Sequence, residues 1–536
     1  MSRLLHRPLL TYTGRLLSVL HVIHALIIGL ALVYVAECDQ RPNIVFILTD
    51  DQDVTLGGLE PMVKLNRLVR EQGVFFDNAF VHTPICCPSR SSYLTGKYIH
   101  NHGAVNNSLE GNCASLAWQQ GSELYTFASS LQGSHYQKGY FGKYLNSYGT
   151  KQAPGGPQHI PRGWDTWFGL VGNSKYYNYS VSNNGVLEEH GQDYGADYFT
   201  DMIKNKSVQF IKDSRANKPI WPFLLVAATP APHAPFTPAP QYEHVFDGHT
   251  APRTPNWNHH SDDKHWLMRE QVPMTDRGIN ASDEIFQHRW ETLLSVDDLV
   301  EAIVQTLVDE HILENTYIIF ASDHGFQMGQ FCIGFDKRQP YEHDIRIPLM
   351  IRGPGIAKNV TLHDIALNID IAPTIVALSG QTPPPHMDGR SLTDLLFPTP
   401  STAKDVDDAG PTDPAAAWRD DFLIDYHGEG RPPCWLVQCP APAADRFHSI
   451  DSFNNTYTCL RTLSSAENSL YCEFTMTGFA EYFDLTADPW QLTNTAKTVS
   501  PALLKQRQAR LAYLRKCSGA QCHLPSTTTR EQLVID

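Results

Sequence analysis

The run NIVFILT, residues 43–49, ends abruptly in Asp50 and Asp51, and it constrains the fold more than any other stretch. Ile44 to Leu48 is unbroken, apolar and rich in β-branched and aromatic side chains, as a strand buried on both faces requires. A stretch of helical spacing follows over residues 62–73, with Leu65, Leu68 and Val69 on one face and Gly73 as its stop. Residues 74–81, VFFDNAFV, read as the next strand. Strand, crossover helix and strand in that order predict an α/β protein with a largely parallel sheet.

The pattern recurs. PIWPFLLVAATP (219–230) is a strand emptying into the Pro-rich loop that carries His233. Residues 292–313 form an amphipathic helix by their spacing. TYIIFASDHG (316–325) is another strand ending in acid, with Asp323 and His324, and residues 347–355 contain one more. In open parallel sheets, sites form beyond the carboxyl ends of the strands. Asp50/Asp51, His233 and Asp323/His324 are therefore expected to converge. A pair of aspartates alone is as readily a solvated turn. Two acidic strand ends favour a hard divalent cation held by oxygen.

The basic and acidic side chains number 42 and 57, a formal charge of −15, which offers no field for nucleic acid. An anionic substrate must be held by a few local cations. Arg3, His6, Arg7 and Arg15 precede the apolar run 16–36, which reads as a secretory signal peptide cut near Ala36, with a retained membrane anchor as the rival reading. No later stretch is apolar enough to span a membrane, so no stable insertion is expected. Six N-x-S/T sequons, at Asn106, Asn178, Asn205, Asn280, Asn359 and Asn454, suit a secreted glycoprotein.

Six of the eleven cysteines fall in the last 103 residues: Cys434, Cys439, Cys459, Cys472, Cys517 and Cys522. In an oxidising compartment this predicts a disulfide-stapled C-terminal region, with Cys517 and Cys522 able to close a small loop. The expected layout is a signal peptide (1–36), a catalytic domain (40–397), a Pro-, Ala- and Asp-rich linker or surface loop (398–418) and a C-terminal subdomain (419–536).

Residues 86–90, CCPSR, followed by LTG at 94–96, resemble the signature of the type I sulfatases. The blocks DDQD (50–53), GKYLNSYG (142–149), NSKYYNYS (173–180), TPAPHAPF (229–236), KHWLMR (264–269), SDHGFQMGQF (322–331) and YFDLTADPWQLTN (482–494) occur in the order seen in the glycosaminoglycan members of that family. The resemblance covers residues 42 to 522. It implies the alkaline-phosphatase-like fold: a large mixed, mostly parallel sheet flanked by helices, with a smaller C-terminal α+β subdomain. It also implies hydrolysis of the 6-sulfate ester of N-acetylglucosamine units in heparan or keratan sulfate. Rival readings are a heparan endosulfatase, an arylsulfatase and, less closely, a phosphoester or phosphonate hydrolase.

In that family the first cysteine, here Cys86, is oxidised to formylglycine (3-oxoalanine) by the formylglycine-generating enzyme before folding. A serine nucleophile would stop at a stable sulfate ester, whereas a hydrated aldehyde has a second hydroxyl whose deprotonation expels sulfate. The resemblance further implies one calcium ion bound by Asp50, Asp51, Asp323, His324 and the modified Cys86. His324 stands where many relatives have Asn. It implies that Arg90 holds the hydrate, that Lys143 and Lys337 bind sulfate oxygens, and that Lys337 or His233 protonates the leaving oxygen. Leu145 stands where many relatives carry a histidine. Cys87 and Cys113 would pair, and Cys332 has no evident partner. A lysosomal or secreted location and a homodimer are compatible with the resemblance.

Overall fold

The computed structural model describes residues 41–398, 418–430 and 451–525. The run 16–36, nearly all of the 398–418 stretch, and Cys434 and Cys439 lie outside them. No helix among the described residues is long and apolar enough to cross a membrane.

A ten-stranded sheet is the centre of the molecule. Its strands are β1 (Asn43–Thr49), β2 (Val74–Phe76), β3 (Gln137–Gly142), β4 (Thr166–Leu170), β5 (Ser180–Asn183), β6 (Val186–Glu189), β7 (Phe223–Ala228), β8 (Thr316–Ser322), β9 (Leu349–Arg352) and β10 (Val360–Leu362). They lie in the order β10-β2-β9-β8-β1-β7-β3-β4-β5-β6. The five central strands β8, β1, β7, β3 and β4 run parallel. Antiparallel β9 and β5 flank them. Every residue of β1, β7 and β8 is buried, as their unbroken apolar sequences require.

Alternate side chains feed two cores. Val45, Ile47, Leu225, Ala227, Ile318 and Phe320 pack on the face covered by α2 (Phe199–Asn217) and α3 (Asp276–Asp309). Phe46, Leu48, Val226 and Ile319 face α1 (Cys86–Thr95) and belong to one core with the C-terminal sheet. That smaller sheet is an antiparallel meander of β11 (Asp421–Tyr426), β12 (Tyr457–Leu463), β13 (Asn468–Phe474) and β14 (Phe479–Asp484), backed by α4 (Pro501–Leu514). Phe80 of the larger unit stacks on Phe422 with ring centres 5.0 Å apart, so no solvent layer separates the two sheets here.

Three local expectations change. The stretch 74–81 is not one strand. Val74–Phe76 joins the main sheet, whereas Ala79–Phe80 pairs with Ala366–Leu367, because Asp77 and Asn78 turn the chain between them. The helix expected over 62–73 is shorter, a turn at Val63–Leu65 running into a π-helical turn at Asn66–Arg70. Helix α3 begins at Asp276, capped by the Thr275 side chain, well before Thr292. Its first half has no strong apolar period, yet Phe286 and Arg289 are buried.

Disulfides join Cys87 to Cys113, Cys459 to Cys472 and Cys517 to Cys522. Among the described residues Cys86 and Cys332 are free and buried. Four sequon asparagines, Asn178, Asn205, Asn280 and Asn359, are exposed; Asn106 and Asn454 are half-buried.

Candidate active site

Four neighbouring strands deliver the site. β8 ends in Asp323 and His324, β1 in Asp50 and Asp51, β3 in Lys143, and the loop after β7 carries His233. In a regular strand Asp50 and Asp51 would point to opposite faces. Asp51 instead has a left-handed φ of 68°, so the alternation breaks and both carboxylates serve one site. The Asp51 amide donates to Asp323 Oδ1 at 3.0 Å, which ties the two strand ends together.

Helix α1 supplies the fifth side of the site. Cys86 opens it, Pro88 sits in its first turn where no backbone donor is needed, and Gly96 ends it with φ 67°. Arg90 lies four residues after Cys86 and so shares its face. Its Nε donates to Asp323 Oδ2 at 2.8 Å and its Nη1 to the Lys143 carbonyl at 2.9 Å. Nη2 lies 3.4 Å from Asp50 Oδ1. Cys86 and Arg90 are adjacent turns of one buried helix because the first must sit among carboxylates that the second neutralises.

Both lysines are buried, contrary to the usual fate of lysine. Lys143 Nζ donates to Asp50 Oδ2 at 2.7 Å. Lys337 Nζ donates to both oxygens of Asp51 at 2.8 and 2.7 Å. Burial opposes ionisation of Asp50 and Asp51, but these cations and His233 hold both well below the usual carboxylate range. Burial likewise opposes the Cys86 thiolate, and Lys143 and Lys337 override it, holding the thiol well below its ordinary value. Burial raises Asp323 to about 6, against the opposing pull of His324. His324 is raised to about 9: burial disfavours the imidazolium, but Asp323, Cys86 and Asp51 outweigh it.

One donor atom each from Asp50, Cys86, Asp323 and His324 lie within 4.8 Å of one another, and Asp50, Asp51, Cys86 and His233 form a second such set. Asp50 Oδ1 is buried without a hydrogen-bond donor among the described residues. An orphaned carboxylate oxygen beside further carboxylates fits a hard divalent cation. The expected ligands Asp50, Asp51, Asp323 and His324 therefore do meet around Cys86.

A cavity of about 260 Å3 opens over Cys86, lined by Asp51, Asn107, His233, Lys337 and Arg338 among others. Cavities of about 480 and 730 Å3 lie elsewhere and share none of these residues. Lys143 stays behind the catalytic cavity, against Asp50. The sequon asparagine Asn106 precedes the lining residue Asn107. Leu145 points into the core.

Three contributors escaped the sequence reading. Ser174 donates to Asp50 Oδ2 and lies within the block NSKYYNYS. Arg289 of α3 donates to the Asp51 carbonyl at 2.8 Å and to Asp53 Oδ1 at 3.0 Å, and its helical half carried no signal. Arg338 lies beside Glu429 and Asp451 at 3.8 Å each, contacts to residues far along the chain that no local pattern announces.

Residues 42–381 match the sulfatase family model. The chain is 46% identical over 504 residues to N-acetylglucosamine-6-sulfatase of Homo sapiens, covering 92% of this chain and 87% of that protein. It is 42% identical over 391 residues to the extracellular sulfatase SULF-1 homolog of Drosophila melanogaster, 73% of this chain and 33% of that one. A solved structure described as BT4656 in complex with its substrate D-glucosamine-2-N,6-O-disulfate superposes with a TM-score of 0.69 at 23% identity, covering 90% of this chain and 98% of that one.

Proposed function

We infer that this chain, which belongs to the sulfatase family and is a sulfuric ester hydrolase, removes the 6-sulfate of N-acetylglucosamine units in heparan or keratan sulfate. The observation that carries this reading is the setting of Cys86, which lies between metal-type carboxylates and two buried lysines under a cavity of about 260 Å3. The names of the relatives point to the same substrate. The decisive assay is sulfate release from a 6-sulfated N-acetylglucosamine monosaccharide, with the matched phosphate ester as control. The likeness to an extracellular sulfatase gives a second reading, action within a chain; a polymer desulfated internally while the monosaccharide is untouched would establish it.

In this reading Cys86 is converted to formylglycine by the formylglycine-generating enzyme, and its hydrate supplies one hydroxyl for attack at sulfur and a second for release of sulfate. A calcium ion held by Asp50, Asp51, Asp323 and His324 would polarise the nucleophile and a sulfate oxygen. The chain's own side chains do the rest. Arg90 pairs with Asp323 and Asp50 and fixes both carboxylates. Lys337, which lines the cavity, places positive charge where the sulfate oxygens carry negative charge, and Lys143 adds to that field from behind, through Asp50. His233 donates Nδ1–H to the Ala234 carbonyl at 2.7 Å, which leaves Nε2 for the leaving oxygen. Burial disfavours the charged ring, but Asp51 and Asp50 outweigh it and raise its pKa. His233 thus stays protonated to higher pH than a free imidazole, as a general acid requires.

Similarity to a protein named an extracellular sulfatase supports passage through the secretory pathway, with the lysosome as the destination proposed. A homodimer is compatible with this reading, and size measurement in solution tests it.

A further inference from the structure

The cavity of about 480 Å3 opens where the catalytic sheet meets the C-terminal sheet. The loop 326–343 is the partition between it and the catalytic cavity. Gln330, Glu342 and His343 face the former, whereas Phe326, Phe335 and Lys337 face the latter. Gln327 and Asp336 bridge the two arms of this loop.

Three polar atoms on the wall are buried with no hydrogen-bond partner among the described residues: Gln491 Nε2, Asn468 Oδ1 and Thr55 Oγ1. Gln491 is 1% exposed. Its Oε1 accepts from the Glu342 amide at 3.1 Å, so the side chain is fixed and its Nε2 is left without an acceptor among the described residues at the cavity wall. An unsatisfied buried donor is costly, and a ligand oxygen would recover that cost.

The charge on the wall is unequal. Arg461 is matched by Glu342 at 2.8 Å. Among the described residues Arg346 donates to neutral acceptors, the Asp77 carbonyl at 2.9 Å and Asn78 Oδ1 at 3.3 Å. His343 is neutral, because burial pushes its pKa down to about 3. The cavity therefore carries about one uncompensated positive charge on a protein of −15. Trp490 stands at the rim, 36% exposed, and offers an indole face of the kind that covers the C–H face of a pyranose ring.

We propose that this cavity is a second, non-catalytic site for an anionic oligosaccharide, with an acidic group at Arg346, hydroxyl or acetamido groups at Thr55, Asn468 and Gln491, and a sugar ring against Trp490. A volume of about 480 Å3 lies within the range of small-ligand sites. The proposal deepens the glycan reading above and rests on it for the class of ligand.

The test is equilibrium titration of the full chain with a 6-O-desulfated heparin tetrasaccharide, in inorganic sulfate that occupies the catalytic cavity. The probe has no 6-sulfate to lose. Saturable binding is expected, weakened about five- to tenfold in Trp490→Ala and in Asn468→Ala. Both variants should hydrolyse the 6-sulfated monosaccharide at the wild-type rate. Should Trp490→Ala lose that hydrolysis, it is misfolded and Asn468→Ala alone decides. Absence of binding by active wild-type protein, or binding unchanged in the folded variants, overturns the proposal. Equal affinity for an uncharged N-acetylglucosamine tetramer overturns the anionic assignment. If wild-type protein binds the tetrasaccharide through Trp490 yet leaves the monosaccharide intact, the substrate reading fails and the second site stands.

Discussion

His324 Nε2 lies 3.4 Å from Cys86 Sγ and 3.3 Å from Asp51 Oδ1. Its Nδ1 donates to the Gly325 carbonyl at 2.9 Å, so the ring presents Nε2 to the site as a ligand would. His324→Asn is expected to keep turnover, reduced about 10- to 100-fold with weaker metal affinity, and to keep the shape of the pH–rate profile. Loss of one limb of that profile would instead assign His324 to proton transfer.

The peptide containing Cys86 from active protein should lack the encoded thiol and react with aldehyde reagents. Cys86→Ser should take up one sulfate and stall, since serine has no second hydroxyl to expel it. An alkylatable Cys86 thiol in fully active protein sinks the mechanism. Peptide mass spectrometry reads both outcomes.

Asp50→Asn should abolish turnover and also lower the melting temperature. Lys143 and Arg90 would be left as buried cations that have lost a carboxylate, a loss of the kind that costs about 3–5 kcal/mol. Lys143→Ala should cost about 10²-fold or more in kcat, beyond any effect on KM, because its charge matters most when the sulfate oxygens gather charge. Unchanged kcat for Lys143→Ala would remove that residue from the chemistry.

Stability should fall with acidification through buried histidines, among them His82 and His343. Burial holds His82 at about 4 and His343 at about 3 in the folded chain, against about 6.5 when unfolded. Below pH 6.5 the unfolded state binds protons that the folded state refuses. Their stabilisation is complete above that pH and is lost as pH falls toward 4 for His82 and 3 for His343, by about 1.4 kcal/mol per unit for each group. Denaturant melts from pH 7 to 4 should show the slope, and His343→Gln should reduce it by about one proton. An unchanged slope in that variant would mean His343 titrates normally.

The strands that end in the site were legible because unbroken apolar runs stop dead at Asp50 and Asp323. Their convergence with His233 followed from the placement of sites beyond strand ends, but the strand order did not, since it depends on crossovers and no local pattern encodes it; Lys143 joins them through β3, which lies beside β7. The left-handed turn at Asp51, which a pair of aspartates does not announce, decides that both carboxylates face one way. Arg289 was missed for the opposite reason. Its half of α3 is polar in sequence and is helical through tertiary packing, with Phe286 and Arg289 buried one turn apart. The cysteines of the C-terminal region drew attention to disulfides, whereas what holds that sheet in place is the core it shares with α1 and the main sheet.

Cys86 is 1% exposed, and its neighbour Cys87 is tied to Cys113. No second protein can grip residues 86–90 as an extended peptide once α1 has formed inside this core. Any enzymatic conversion of Cys86 must then precede collapse of the chain, and the disulfide beside it closes the interval. On the conversion proposed above, each molecule would leave synthesis either converted or not, and the fraction of competent molecules would record the race between modification and folding in the cell that made it; prolonged incubation of the folded protein with a modifying enzyme would leave that fraction where it was.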